Sequence, residues 1–198
     1  MNKLIGHSGC EVLLICENGI SKVRKISKDI EYNYRLKLQC EKQKKFKDSV
    51  ILAPKVYSQG YIKELFYFDM EYVNGIKFND FIKNNSFIYV KSHFLQIITF
   101  ILNNFKNENK NFEDIILDKI NHIAKTNLID NQIIETMKIN SKKDIPTGYC
   151  HGDFTFENIL LSNNRIYLID FLDSFIDSPI LDLSKLFQEF DLNWSNRN

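Results

Sequence analysis

Residues 151–158 read H-G-D-F-T-F-E-N and stand immediately before a short apolar run at residues 159–161. A polar turn at residues 162–165 leads to a second apolar run, residues 166–169, which ends at Asp170. Two apolar runs joined by a short polar turn predict an antiparallel hairpin. This hairpin would bring Asn158 and Asp170 to the same end of its two strands, with Asp153 in the loop just before them.

The three polar residues at this end have the chemistry of a phosphoryl-transfer site. Asn158 and Asp170 offer oxygen ligands to a hard cation such as Mg²⁺, which proteins usually hold with one or two carboxylates and substrate phosphates. Asp153 remains free to orient a hydroxyl group and accept its proton. Taken singly, each has an ordinary structural interpretation, as a turn residue, a cap or the end of a strand.

The stretch resembles the catalytic core of the aminoglycoside phosphotransferase and choline kinase-like family, in the protein kinase-like superfamily. The resemblance rests on the pattern His-Gly-Asp-x-x-x-x-Asn, with Ile-Asp-Phe twelve residues after the Asn. Protein kinases have Arg where this chain has Gly152, and Asp-Phe-Gly where it has Asp170-Phe171-Leu172. Both departures favour small-molecule kinases. The resemblance implies that Asp153 is the catalytic base or hydroxyl-positioning residue, that Asn158 and Asp170 bind Mg²⁺, and that His151 is structural.

The N-terminal part of the chain predicts a small antiparallel sheet. Alternating apolar segments predict five strands at residues 3–5, 10–15, 20–26, 55–58 and 63–71. A helix over residues 29–47 is inserted after the third strand, with Ile30, Tyr34 and Leu38 as its apolar stripe. Helical periodicity dominates from residue 79 onward.

The resemblance implies an α+β, two-lobed protein kinase-like fold. Residues 1–75 would form a nucleotide-binding lobe of antiparallel sheet with one helix, and residues 76–198 a mostly helical catalytic lobe, apparently shortened at its C-terminus. Either this lobe is minimal, or a homodimer or another partner completes it. Asp182, in the stretch D-L-S-K-L, is expected to cap a helix or hold the catalytic loop.

The same resemblance assigns residues to ATP. Gly6, Ser8 and Gly9 lie in a turn between the first two strands and would contact phosphate through backbone N–H groups. Lys25 and Lys22 fall on opposite faces of the third strand, and the spacing from Val23 favours Lys25 as the phosphate-binding lysine. The hinge that contacts adenine through its backbone would be Glu71, Tyr72 and Val73.

The sequence offers several candidates for the partner of Lys25. Glu41 lies in the middle of the predicted helix, sixteen residues after Lys25, and is the predicted partner. Gln39 and Gln43 flank it as neutral alternatives, and a surface pair of Glu41 with Lys45 is another interpretation. Elsewhere, three acidic residues would place negative charge near the site and attract a cationic acceptor: Glu157, Asp173 and Asp177.

Composition narrows the class of protein. The 26 Lys and Arg residues nearly balance the 25 Asp and Glu residues, which gives no electrostatic support for general nucleic-acid binding. No apolar stretch is long enough to span a bilayer. The four cysteines form no C-x-x-C pair and are expected to be reduced thiols in a cytoplasmic protein.

The sequence therefore predicts an ATP- and Mg²⁺-dependent phosphotransferase. It would move the γ-phosphoryl group to a hydroxyl of a small molecule, such as a sugar, an amino-alcohol or an aminoglycoside-like compound. The alternative is a nucleotide-binding pseudokinase or scaffold without turnover, and a kinase that phosphorylates proteins is a weaker third possibility. The sequence leaves open the identity of the acceptor and the choice between ATP and GTP.

Overall fold

The N-terminal lobe is built on a five-stranded antiparallel sheet in the computed structural model, which describes residues 2–4, 9–17 and 19–197. The strand order is β1-β2-β3-β6-β5. These strands are β1 (Asn2–Leu4), β2 (Glu11–Glu17), β3 (Ile20–Ile26), β5 (Val56–Ile62) and β6 (Leu65–Glu71). Helix α1 (Asn33–Lys45) follows β3. The predicted sheet with one inserted helix is therefore confirmed.

The buried face of α1 differs from the predicted apolar stripe. Tyr34 is 72% exposed, and Ile30 and Leu38 are also exposed. The residues of α1 that are buried are Leu36, Gln39, Cys40 and Gln43. Gln43 is accommodated there because its Nε2 donates a hydrogen bond to the carbonyl oxygen of Pro54 at 2.7 Å.

The C-terminal lobe is mostly helical. Its helices are α2 (Phe78–Asn84), α3 (Phe87–Asn103), α4 (Glu113–Ala124), α5 (Asn131–Ser141) and α6 (Pro179–Leu192). A two-stranded sheet joins β8 (Phe105–Lys110) to β9 (Ile145–Gly148). Among the described residues, none of the helices has the length and apolar character needed to cross a membrane.

A four-stranded sheet links the two parts of the chain. Its order is β4-β11-β10-β7, from strands β4 (Ile51–Leu52), β11 (Arg165–Leu168), β10 (Ile159–Ser162) and β7 (Ile76–Lys77). Strand β4 lies within residues 1–75 yet pairs in parallel with β11. The lobe boundary at residue 75 stays a prediction, because this short strand contributes to the sheet of the following lobe.

The β10–β11 hairpin is anchored in the larger hydrophobic core. Its inward-facing residues Ile159, Leu161, Ile166 and Leu168 are buried in one cluster with residues of α2 and α3. Full burial of an aliphatic side chain contributes about 1.5–3 kcal/mol. The hairpin is thus a rigid base for the loop that precedes it and for the residues that follow it.

Candidate active site

The β10–β11 hairpin brings together the two ends of the motif. Ile159 lies opposite Leu168 in the antiparallel register. The N–H of Ile169 donates to the carbonyl oxygen of Asn158 at 3.0 Å. Because Asp170 follows Ile169 directly, Asn158 and Asp170 stand at the same end of the hairpin, as the sequence predicts.

His151 supports the loop from within. Its side chain is fully buried, with Nε2 2.9 Å from the carbonyl oxygen of Ile169 and Nδ1 3.3 Å from the N–H of Asp153. A carbonyl only accepts and an N–H only donates, so the ring is neutral with its proton on Nε2. Burial lowers the pKa of His151 to about 4. The imidazole thus connects the start of the loop at residues 151–158 to the end of β11.

Helix α6 holds the same loop from the other side. The two carboxylate oxygens of Asp182 accept the backbone N–H groups of His151 at 2.6 Å and Gly152 at 2.8 Å. Seven residues further along α6, Glu189 accepts the N–H of Phe156 at 2.9 Å. Burial raises the pKa of Asp182 to about 6, although the hydrogen bonds from the N–H groups of His151 and Gly152 act to lower it. Asp182 therefore holds the loop of residues 151–158, one of its two expected roles.

Both carboxylate oxygens of Asp153 are engaged. Oδ2 accepts a hydrogen bond from Nδ2 of Asn158 at 3.0 Å, and the same Nδ2 donates to the Asp153 carbonyl at 2.9 Å. Oδ1 lies 3.2 Å from Nζ of Lys185 on α6. The side chain of Asp153 is still 29% exposed, so it faces the cleft and is accessible to a bound molecule.

The buried lysine of β3 reaches the carboxylate that follows β11. Nζ of Lys25 lies 3.1 Å from Oδ1 of Asp170, and the lysine side chain is only 3% exposed. The alternative lysine, Lys22, points to the opposite face, where it pairs with Glu17 at 2.7 Å and with Asp69 at 3.2 Å. Of the two lysines considered from the sequence, Lys25 is the one that enters the cleft.

The structure does not form the predicted pair of Glu41 with Lys25. Glu41 instead pairs with Lys44 at 2.9 Å, one turn away on α1, which lowers the pKa of Glu41. The face of α1 that meets the cleft carries Gln39 and Arg35, both of which contact Asp173. The predicted pair is absent because the orientation of α1 places Glu41 on the partly exposed side of the helix.

The structure describes only part of the predicted phosphate loop. Gly6 and Ser8 lie outside the described residues. Gly9 is an exposed bend with a φ angle of +73°, and a Cβ atom at that position would lie 3.4 Å from the side chain of Lys28.

The predicted hinge lies between the lobes. The N–H of Glu71, at the end of β6, donates to the carbonyl oxygen of Lys55 at 2.8 Å. Tyr72 is exposed and Val73 half-buried. These residues do not line the cleft cavity formed around the motif by the described part of the chain.

A cavity of about 490 Å³ opens between the lobes at the motif. It brings together the three motif residues and Lys25 from across the cleft. Its lining consists of Lys25, Lys28, Tyr32, Arg35, Asp153, Thr155, Glu157, Asn158, Asp170, Leu172, Lys185, Trp194 and Arg197. This volume is within the range of small-molecule sites.

The charge around this cavity is less acidic than the sequence suggested. Asp173 pairs with the guanidinium of Arg35 at 2.8 Å. Asp177 lines neighbouring cavities instead of the cleft. Besides Asp153 and Asp170, Glu157 is the one carboxylate of the described lining.

The donor set at the end of the hairpin fits Mg²⁺. The carboxylate of Asp170 is 38% exposed, and Lys25 contacts only its Oδ1. Asn158 uses its Nδ2 toward Asp153, which leaves its amide oxygen available as a ligand. No three His, Cys, Asp or Glu residues gather into a complete metal cage within the described ranges. An ion here would need substrate phosphates to complete its shell, as Mg²⁺ commonly does.

Sequence reasoning missed Lys185 and Glu189 as parts of the site. With Asp182 they form the spacing i, i+3, i+7, which places all three on one helix face. Charged residues on one face of a helix usually indicate a solvent-facing surface, but here that face packs on the loop of residues 151–158. The sequence contains this spacing, but it does not reveal which part of the protein the helix face packs against.

Comparison with known proteins identifies the fold. Residues 117–197 match the model of the phosphotransferase enzyme family (APH). A thermostable mutant of the aminoglycoside phosphotransferase APH(4)-Ia, in its apo form, superimposes with a TM-score of 0.67 at 13% identity, covering 96% of this chain and 72% of that chain. A ternary complex of the same enzyme with ADP and hygromycin B gives the same TM-score and identity, over 95% and 71% of the two chains.

A second enzyme gives a similar result. The streptomycin–ATP–APH(2")-IIa ternary complex matches with a TM-score of 0.62 at 20% identity, covering 91% of this chain and 68% of that chain. The search of curated proteins gave no match. The chain therefore has the kinase-like fold of the aminoglycoside phosphotransferases, and its residues 117–197 carry the sequence pattern of the phosphotransferase enzyme family.

Proposed function

We propose that the protein is an ATP- and Mg²⁺-dependent phosphotransferase that moves the γ-phosphoryl group to a hydroxyl of a small molecule. One observation carries the proposal: Asp153, Asn158 and Asp170 meet in a single cleft with the buried ammonium of Lys25. The family match over residues 117–197 and the nucleotide complexes of the similar structures support it.

In this proposal Lys25 binds the phosphates of ATP. A buried ammonium group needs a negative partner, and Asp170 supplies one. Bound phosphates offer Lys25 a second anionic partner in the same cleft. The backbone of residues 71–73 would contact adenine, and Gly6, Ser8 and Gly9 would cover the phosphates.

Asp153 acts as the base. The acceptor hydroxyl gives its proton to a carboxylate oxygen of Asp153 while the hydroxyl oxygen forms a bond to the γ-phosphorus. The bond from the γ-phosphorus to the bridging oxygen breaks, and its electron pair leaves with ADP. Mg²⁺, held by Asn158 and Asp170, would neutralise charge on the β- and γ-phosphates.

The acceptor class follows from the charges that line the cleft. Three lysines and two arginines are described lining cations, whereas Glu157 is the one described lining acid besides Asp153 and Asp170. A polycationic acceptor would meet repulsion there. Within the proposed range of sugars, amino-alcohols and aminoglycoside-like compounds, we therefore favour sugars and amino-alcohols of low charge.

The second candidate is a nucleotide-binding scaffold without turnover. It is favoured by the ion pairs of Lys25 with Asp170 and of Lys185 with Asp153, which occupy both acids of the motif. Release of ADP that depends on an added hydroxyl compound distinguishes the two, because a scaffold would bind ATP without producing ADP.

Calorimetric titration of ATP, with and without Mg²⁺, tests the proposal. We expect Mg²⁺-dependent binding to the wild type, its loss in Asp170→Asn, and its retention in Asp153→Ala. Asp177→Asn is the control, since Asp177 is exposed seven residues further along the chain and does not line the cleft. Binding that is independent of Mg²⁺ and of Asp170 would refute the metal assignment.

Phosphoryl transfer is then measured with a panel of hydroxyl acceptors. Asp153→Ala is expected to reduce turnover by about 10²- to 10⁴-fold, the usual contribution of a positioned general base. Near-normal turnover in this variant would show that another group accepts the proton.

A further inference from the structure

We propose that Lys185 is a catalytic residue whose ammonium group contacts the phosphoryl group during transfer. This inference rests on the proposed function, because it concerns the same cleft and the same step. Lys185 would meet the phosphoryl oxygens from the C-terminal lobe, while Lys25 meets the phosphates from the N-terminal lobe.

The position of Lys185 is set by two neighbours on α6. Asp182 and Glu189 fix the backbone of the catalytic loop at Gly152 and Phe156, and Lys185 lies between them on the same helix face. Its Nζ is therefore held near the carboxylate of Asp153, at 3.2 Å from Oδ1. The side chain remains 31% exposed and lines the cleft, so the ammonium is accessible to a ligand.

Apart from Lys25, which pairs with Asp170, the other cations of the described lining contact groups other than Asp153. Arg35 pairs with Asp173 at 2.8 Å. Arg197 lies over the ring of Trp194, 3.5 Å from its centroid, and donates from Nη1 to the carbonyl oxygen of the same residue. Lys28 lies 4.0 Å from Asp29 at the protein surface. Lys185 is thus the cation that contacts the carboxylate of Asp153.

Proton transfer strengthens the interaction that we propose. When Asp153 accepts the hydroxyl proton, its carboxylate becomes neutral and its attraction for Lys185 falls. Negative charge is present at that moment on the phosphoryl oxygens and on the departing ADP oxygen. The ammonium of Lys185, on a flexible stem, can turn to those oxygens without losing its own proton. An interaction that grows toward the transition state accelerates the reaction.

Binding of a transition-state mimic tests this inference without an identified acceptor. Calorimetry would compare Mg·ADP alone with Mg·ADP plus aluminium fluoride, which occupies the position of the transferring phosphoryl group. The wild type is expected to bind the second mixture more tightly. Lys185→Met should reduce that gain by about tenfold or more, as for loss of a charge-assisted hydrogen bond, with little change in Mg·ADP affinity.

Two variants control for charge and for folding. Lys185→Arg keeps the charge and should retain part of the gain. Lys138→Met removes a lysine of similar side-chain exposure, 35% against 31%, which pairs with Glu135 on α5 at 2.8 Å. This variant should behave as the wild type.

The outcomes separate this inference from the proposed function. A full fluoroaluminate gain in Lys185→Met would overturn the inference, as would no gain in a wild type that binds Mg·ADP. An equal loss of Mg·ADP affinity, or unfolding of Lys185→Met, would assign Lys185 a structural role and also overturn it. A wild type that does not bind Mg·ADP would contradict the proposed function itself.

Discussion

Nζ of Lys25 lies 3.1 Å from Oδ1 of Asp170, although 145 residues separate them in the sequence. Lys25 comes from the central part of the N-terminal sheet and Asp170 from the end of the β10–β11 hairpin. Helix α1 presents Arg35 and Gln39 to the cleft instead of an acid. Asp170 is therefore both the proposed metal ligand and the carboxylate that pairs with Lys25.

Replacing Lys25 by Met should weaken Mg·ATP binding. We expect a loss of about 10- to 100-fold, because hydrogen bonds to charged groups contribute about 1.5–3 kcal/mol each. Calorimetric titration of Mg·ATP measures it. Lys22→Met is the matched control on the same strand, and it should bind Mg·ATP as the wild type does, because Lys22 faces Asp69 on the other side of the sheet. Equal losses in both variants would contradict the assignment of Lys25.

The parts of the site that follow from local spacing could be predicted from the sequence. The hairpin needs only two apolar runs and a turn, so the meeting of Asn158 and Asp170 is already contained in residues 151–170. Strand alternation likewise separates Lys25 from Lys22. Both relationships depend on neighbours in the chain and not on how the lobes pack.

The orientation of α1 could not be predicted in this way. The prediction located the buried face of α1 from the spacing of its apolar residues alone, whereas the actual buried face includes Gln39 and Gln43. Gln43 is stabilised there by a bond to Pro54, which the sequence pattern does not reveal. The same error of orientation accounts for Glu41. The contacts of α6 with the catalytic loop were missed for a related reason, since they depend on tertiary packing.

Replacing Gly152 by Ala should destabilise the fold. Gly152 has a φ angle of +96°, and a Cβ there would lie 2.5 Å from Oγ of Ser174 and 3.0 Å from the carbonyl oxygen of Leu172. We expect a loss of about 2–5 kcal/mol in the free energy of unfolding, from backbone strain and overpacking together. Urea denaturation measures this change.

Gly19→Ala isolates the backbone-strain part of that effect. Gly19 has a φ angle of +77°, but a Cβ there would meet no atom within 4 Å. Its replacement by Ala should lower the free energy of unfolding by about 1–2 kcal/mol, from backbone strain alone. If the two variants lost the same stability, the close packing of Gly152 against residues 172–174 would not be the cause.

His151 and Asp182 give opposite pH dependences to the stability of the fold. Burial lowers the pKa of His151 from 6.5 to about 4, so its contribution is present above pH 6.5 and is lost as the pH falls toward 4. Burial raises the pKa of Asp182 from 3.8 to about 6, so its contribution is present below pH 3.8 and is lost as the pH rises through 6. Between pH 4 and 6 the two effects largely cancel.

Asp182→Asn should reveal the dependence due to His151. Without the carboxylate, the free energy of unfolding of the variant should itself rise by about 3 kcal/mol from pH 4 to pH 6.5, since a difference of one in pKa corresponds to about 1.36 kcal/mol. The free energy of unfolding of the wild type should stay nearly constant between pH 4 and 6. Urea denaturation at a series of pH values measures the two profiles. Asp191→Asn, at an exposed position on the same helix, should follow the wild type. Parallel profiles for Asp182→Asn and the wild type would mean that burial does not raise the pKa of Asp182. A profile of Asp182→Asn that does not rise with pH would mean that burial does not keep His151 neutral, and the support that we assign to its ring would have to come from a charged imidazole.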